Sequence, residues 1–332
     1  MINCRKWIAF GLLAASLFFW KTGYLLLGRF PAELAVSIQL EKGIPAARYE
    51  EMIRTESQAE IAAPFVLWTQ LEAKTIFSPS GRETQTAVIL ARGDMQLLFS
   101  FPLALEDQTG VLIDRNTAHA LFGSSDGVGA EIIYHEKKYK VRGLLNCPLP
   151  TAVFQADPLK NTELDHITLA NEKQLQPFVM RHGLNPIRTI KNDVWKQLAG
   201  LICCLPPIFG SIWMIVLLVK AIRKAGKKTL PQTVVLLGLL TFISLCFFML
   251  LTILPAQWIP SRWSNISFWS QAFSDWKKEA LKWLSSQKYG PDLAAMLPGK
   301  WPCFYSISSC ICLLAARLVW YKKIDSLFSR IS

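Results

Sequence analysis

Acidic residues are scarce in this chain outside a single stretch. From Gly28 to Trp195 there are 20 Asp and Glu against 17 Lys and Arg, or −3, whereas the rest carries 4 against 19, or +15. Charge is thin overall: 18% of the 332 residues are charged and 52% hydrophobic, with a mean hydropathy of +0.27. A soluble domain has about 25% charged residues. The net +12 does not describe a basic nucleic-acid-binding globule, because the one large polar region is slightly acidic and the excess lies beside apolar runs. Histidine is also rare. His119, His135, His166 and His182 form no His-x-x-x-His spacing, and no Cys-x-x-Cys accompanies them, so no metal framework is present. No G-x-x-x-x-G-K-[ST] occurs, which excludes a P-loop in this polypeptide and places any ATPase on another chain. Eight cysteines make no disulfide scaffold, since Cys203, Cys204, Cys246, Cys310 and Cys312 fall in apolar runs. Only Cys147 and Cys303 would face an oxidising compartment, and nothing in the sequence supports pairing them.

Long apolar runs are plentiful. Four are near the about 20 residues needed to cross about 30 Å of hydrocarbon: Trp7–Leu27, Leu198–Val219, Thr233–Ile259 and Cys303–Tyr321. The last contains Arg317, one turn from Tyr321 and able to snorkel to the interface. Four spans are expected, with three as the alternative. Arg5 and Lys6 precede the first run, but no small-residue cleavage site closes it, so it reads as an anchor and not a signal peptide. Basic residues fix the orientation. Arg5 and Lys6, the segment Lys220, Arg223, Lys224, Lys227 and Lys228, and Lys322, Lys323 and Arg330 all fall on one side of a four-span chain. That side is the cytoplasm, so both termini are inside and Gly28–Trp195 is outside.

The expected fold is therefore an α-helical membrane protein with four transmembrane helices (1+3) and an α+β extracytoplasmic domain between the first and second. The domains are 1–27, cytoplasmic N-terminus and first span; 28–195, the outside domain; 196–259, two spans and a short basic loop; 260–302, an outside loop; and 303–332, the last span and tail. Within the outside domain, Glu41–Ala62 reads as a helix. FVLW and LEAKTIF, then TAVILA, flank the turn Ser78-Pro79-Ser80-Gly81. Gly110–Ile113 reads as a strand, followed by a helix capped by Asp114 or Asn116 and ended by Gly123. A hairpin turns at His135-Glu136-Lys137. In the 260–302 loop, Trp269, Phe273, Trp276, Ala280, Trp283 and Leu284 share one helical face, with Asp275, Lys278, Glu279 and Lys282 opposite. Trp269, Phe273, Trp276 and Trp283 give this helix the composition of an in-plane interfacial helix at the lipid bilayer; packing against the outside domain or a partner is the other reading.

The run from Leu105 to Leu145 resembles the extracytoplasmic core domain of MacB/FtsX-type ABC transporter permeases. The motif residues are the strand Val111–Ile113, the turn Leu121-Phe122-Gly123, Asp126, Gly127 and Gly129, and the hairpin end Val141-Arg142-Gly143. The order of spans and outside domain agrees, although this outside domain is shorter than in the large efflux members and the Pro260–Pro302 link is longer than the family's usual one. The resemblance implies a permease subunit in a bacterial cell membrane. It would pair with a second permease copy or paralogue and with a cytosolic ABC ATPase subunit. ATP-driven closure would move the outside domain (mechanotransmission) in the export or extraction of a peptide, lipid or drug-like cargo. Lys220, Arg223, Lys224, Lys227 and Lys228 would then form an ATPase-coupling loop; their bland reading is flanking charge that orients the spans. A membrane-anchored sensor or adaptor without an ATPase is the competing class.

An enzyme is not expected, and neither is a cofactor. Gly123-Ser124-Ser125-Asp126-Gly127 matches the letters of a nucleophile elbow, but that elbow follows a strand and opens a helix, whereas here a helix precedes and a strand follows. Glu163, Asp165 and His166 read as turn polarity, and Ser285 and Lys288 lack the apolar pocket that would activate a lysine.

Overall fold

The computed structural model describes residues 2–30, 35–99, 101–160, 162–225, 238 and 266–328. In chain order the elements are α1 (Ile2–Leu27), β1 (Val36–Pro45), α2 (Arg48–Ser57), β2 (Phe65–Phe77), β3 (Glu83–Gly93) and the single turn α3 (Gln96–Phe99). There follow β4 (Gly110–Asp114), α4 (Arg115–Phe122), β5 (Glu131–Tyr134), β6 (Lys137–Leu145), β7 (Thr151–Gln155), β8 (Glu163–Leu169), α5 (Leu175–His182) and β9 (Pro186–Lys191). The last helices are α6 (Asp193–Ala225), α7 (Ile266–Ser285) and α8 (Gly290–Phe328). The chain divides into two compact units. One is Pro31–Val194 with Glu279–Leu297; the other is Met1–Phe30, Trp195–Lys278 and Pro298–Ser332.

The first unit is a nine-stranded mixed sheet in the order β3-β7-β4-β6-β5-β2-β8-β1-β9, with β3 also paired to β2. Two substructures share β2. In the first, β1-α2-β2 and β8-α5-β9 interleave as β2-β8-β1-β9 with all neighbours antiparallel, the arrangement of a split βαβ fold. Its core holds Ile38, Met52, Phe65, Leu67, Ile167 and Phe178. In the second, inserted between those halves, β2 and β3 run on past the first sheet and close a ring through β7, β4, β6 and β5. A bulge at Glu72, where Leu71 pairs Val88 and Ala73 pairs Ala87, bends β2 towards Phe77, which pairs Ile133; an extra residue is what lets a strand turn this way.

Alternation places neighbours on opposite faces, and here both faces are covered. Val111 and Ile113 join one core and Leu112 another; Ala152 and Phe154 separate from Val153 in the same way. Strands buried on two faces read as unbroken apolar runs, which is why FVLW, AVIL and VLI carry so few polar residues.

The expected helix from Glu41 to Ala62 is corrected: residues to Pro45 are strand and only Arg48–Ser57 is helix. The β1 burial pattern is two-sided, and Gly43 packs against Glu163 of β8. Glu163, Asp165 and His166 lie on β8 and not in a turn. The Asp114 cap, the end at Gly123 and the hairpin at His135 and Glu136, both with positive φ, form as the sequence suggests.

Among the described residues three helices are long and apolar enough to cross a membrane: Trp7–Leu27, Asp193–Leu217 and Gly290–Trp320. The run Thr233–Ile259, apart from Gly238, lies outside the described residues. The expected loop up to Pro302 is partly helix, since α8 already begins at Gly290.

Candidate functional site

Three places hold the residues that sequence reasoning singled out. The first is the strand–helix–hairpin segment. Asp114, fully buried, ends β4 and caps α4: it accepts from the backbone N–H of Asn116 at 2.8 Å, from Thr117 N–H and from the Thr117 hydroxyl. It also accepts from Thr151 N–H at 2.8 Å, so one carboxylate joins the helix start to β7. Leu121 is buried and Phe122 packs beside the core. Gly123 has φ +75° and its N–H donates to His119 O at 2.8 Å, a left-handed helix end that favours glycine. Gly127 lies under the Phe122 ring, and Gly143 lies against Phe101, whose ring carbons fill the space a Cβ would need. Arg142 pairs with Asp107 at 2.7 Å. Burial of the Asp107 carboxyl is outweighed by Arg142 and Thr109, which hold it below its ordinary value. Ser125 is exposed between α4 and β5, with Ser124 Oγ accepting from Asp126 N–H at 3.1 Å. The whole segment is a turn-and-hairpin frame.

The second place is the helical unit. Along α1 the buried positions Ala9, Ser16 and Gly23 recur every seven residues, a small-residue seam that lets backbones approach closely. Ser16 and Ser309 of α8 are hydrogen-bonded between hydroxyls at 2.9 Å, and Ser309 also donates to Ser16 O. Gly23 faces Pro302 O and Ser306 Oγ. Pro207 lies inside α6 and has no N–H to give to Cys203 O, four residues earlier. Trp20 Nε1 donates to that carbonyl at 3.2 Å, and Ser306 Oγ donates to Cys203 Sγ at 3.2 Å. A carbonyl freed by proline needs another donor, and here a neighbouring helix supplies it. Lys220, Arg223 and Lys224 lie on the last turns of α6; Lys227 and Lys228 lie outside the described residues.

The third place is α7 with the start of α8. Ala280 and Trp283 are buried, whereas Phe273, Leu281 and Leu284 are more than half exposed; Trp269 and Trp276 are half-buried. Lys191 at the end of β9 pairs with Glu172 and with Glu279 of α7, both at 2.8 Å. Burial works against its charge, but the two carboxylates prevail and hold the ammonium above its ordinary value. After α7 the chain crosses the sheet. Lys288 Nζ donates to Trp283 O at 2.7 Å and lies over that indole. Tyr289 packs edge-on against His166 and Trp68, which stack with centroids 4.4 Å apart. Gly290 N–H donates to Gln70 Oε1 at 2.9 Å, and Cys147 Sγ lies 3.7 Å from Gly290 O. Asp292 is 1% exposed. Sequence reasoning missed this cluster; its signals were the apolar residues that follow His166 and an acid, Asp292, in the first turn of an apolar helix.

Cys147 and Cys303 are free thiols. No group of His, Cys, Asp or Glu that could hold a metal occurs among the described residues. The features in hand define a class: a chain in which a split βαβ domain with a closed-sheet insertion lies, in sequence, between helices long and apolar enough to cross a membrane. No family model and no curated protein matches the chain. Solved structures do. It is similar to the extracellular domain of the ABC-type transporter YknZ from Gram-positive bacteria, at 15% identity over 45% of this chain and 96% of that one, TM-score 0.36. It is also similar to the periplasmic region of MacB from Actinobacillus actinomycetemcomitans, at 12% identity over 49% and 91%, TM-score 0.37. A third is a permease-protein domain from Porphyromonas gingivalis, at 14% identity over 45% and 80%, TM-score 0.30. Identities of this size transfer no residue role.

Proposed function

We propose that the chain is the permease subunit of a MacB/FtsX-like ABC transporter, paired with a second permease and working with a separate cytosolic ATPase. The observation that carries this is the order of parts: an apolar helix, a sheet domain containing the Leu105–Leu145 motif as a strand–capped helix–hairpin unit, then further apolar helices. The sheet domain lies outside the cell and the termini inside. β9 ends at Lys191 and α6 begins at Asp193, so in this reading a movement of α6 is passed along the chain to β9. In this reading, the last turns of α6 with Lys227 and Lys228 receive the ATPase. The exposed apolar half of α7, Phe273, Leu281 and Leu284 with Lys277 between them, lies in the lipid headgroup zone. The buried polar frame of the sheet domain performs no chemistry; hydrolysis belongs to the partner.

The test is affinity purification of the full chain in mild detergent. Recovery of a P-loop ATPase in stoichiometric amount is expected. Repeated recovery of the intact chain alone, under conditions that preserve a known permease–ATPase pair, sinks the assignment in favour of a membrane-anchored sensor or adaptor.

A further inference from the structure

α7 carries two neighbouring rows of large side chains, and only one of them is covered. Trp269, Trp276, Ala280 and Trp283 fall at i, i+7, i+11 and i+14; the last two are buried and the others half-buried. Phe273, Lys277, Leu281 and Leu284 fall at i, i+4, i+8 and i+11, a second row beside the first on a helix of 3.6 residues per turn. This row is open. Phe273 is 56% exposed, Leu281 56% and Leu284 60%, and Lys277 is exposed among them. Lys278 and, further round, Lys282 are exposed along its border. α7 is not among the described helices apolar enough to cross a membrane. From Phe273 to Leu284 the row runs about 16 Å, about half of what a crossing needs.

The acids of α7 do not neutralise these lysines. Glu279 is engaged by Lys191 at 2.8 Å. Asp275 meets Lys278 at 3.7 Å with both side chains more than 60% exposed, a pair that water screens and that adds little. Among the described residues no acid forms an ion pair with Lys277 or Lys282.

An apolar row with a lysine in its middle fits one kind of partner. A protein groove would have to bury the Lys277 ammonium or supply an acid for it. At a lipid surface the methylene stem lies along the apolar row while the ammonium turns out to the phosphates. The surplus charge beside the row is positive, which favours headgroups of net negative charge over zwitterionic ones.

We propose that the Phe273–Leu284 row of α7 is a docking surface for anionic phospholipid, held at its headgroup by Lys277 with Lys278 and Lys282 beside it, while Phe273, Leu281 and Leu284 enter the acyl boundary. This rests on the reading of α7 as a lipid-facing helix and adds to it the choice of lipid.

The experiment uses the full-length protein in nanodiscs made from equal parts of phosphatidylglycerol and phosphatidylcholine with the same acyl chains. Leu281→p-benzoylphenylalanine places a photoreactive group in the row, and mass spectrometry counts its lipid adducts. The same group at Ile311, exposed on α8 with no lysine or arginine within four positions, gives the ratio of an unselective contact. Relative to that ratio, phosphatidylglycerol is expected to be enriched about two- to fivefold at Leu281, since one lysine near an anionic surface accounts for about fivefold. The enrichment should be lost in Lys277→Gln with Lys282→Gln and persist in Lys277→Arg with Lys282→Arg. If the Gln variant does not fold, the same loss is expected on raising the salt from about 0.05 M to about 0.5 M, which screens exposed charge. Lipid adducts in the unselective ratio overturn the choice of lipid and leave α7 at the membrane. Enrichment that survives both charge removal and salt overturns the role of the lysines. Adducts to protein alone overturn the lipid-facing reading as well, and give the row to a protein partner or a second copy of the chain.

Discussion

Asp114 shows how much one side chain settles in this sheet domain. Both of its oxygens receive backbone donors, Asn116 N–H on one and Thr151 N–H on the other, while the residue has no exposed surface. Asp114→Ala removes a helix cap and leaves buried donors unmatched, which should lower stability by about 2–4 kcal/mol, measured by chemical unfolding of the purified protein. Gly123 is constrained by its backbone: at φ +75° an alanine costs about 1 kcal/mol. Ser125 belongs to the opposite case. Exposed in a turn, Ser125→Ala should change stability by less than about 0.5 kcal/mol and leave any transporter-linked function intact; selective loss of function with normal folding would reopen the hydrolase reading. Within the helices, Trp20→Phe deprives the Cys203 carbonyl of its donor. The expected loss is about 0.6–2 kcal/mol in reversible unfolding in detergent, and an unchanged midpoint would mean that another donor replaces the indole.

At the scale of elements, the proposed coupling role of the basic segment at the end of α6 is where function is to be tested. Arg223→Glu with Lys224→Glu, at the end of α6, should reduce ATPase recovery while leaving insertion intact, since reversed charges at a contact cost most where water is excluded. Full recovery with intact insertion would leave those residues as orienting charge only. The elements read correctly from sequence were those that local chemistry decides. Asp114 and Gly123 bracket α4, Ser78–Gly81 turns β2 into β3, and the His135–Glu136 pair turns β5 into β6. The elements misread were decided from afar. β1 is a strand because β8 and β9, more than a hundred positions later, supply partners for Val36–Gln39. Asp165 and His166 looked like turn polarity because nothing nearby announces the Trp68 and Tyr289 rings around them. The apolar face of α7 was legible as a stripe, but not which half of it the sheet domain would cover.

For the molecule as a whole, the orientation is open to direct measurement. Ser80 is exposed at the tip of the β2–β3 turn, so a Ser80→Cys chain should label in intact cells with an impermeant maleimide. Absence of labelling, where a folded outside control labels, would reverse the assignment of inside and outside.

The late position of Ser286–Leu297 also bears on how the chain is made. Trp68, Ile89 and Val153 are synthesised early and form one face of the sheet, yet Tyr289 and its neighbours are translated only after α6 and α7. The sheet itself cannot close until β8 and β9 return to β1. Until Tyr289 follows, Met95, Leu98 and Leu103 cover part of this face, and the Trp68 ring lacks its contact with Tyr289. A chain that stops before Tyr289 never gains that contact and is expected to unfold more readily. Truncation after Ala225 should give a short-lived protein whose half-life is restored by supplying residues 266–328 as a second polypeptide.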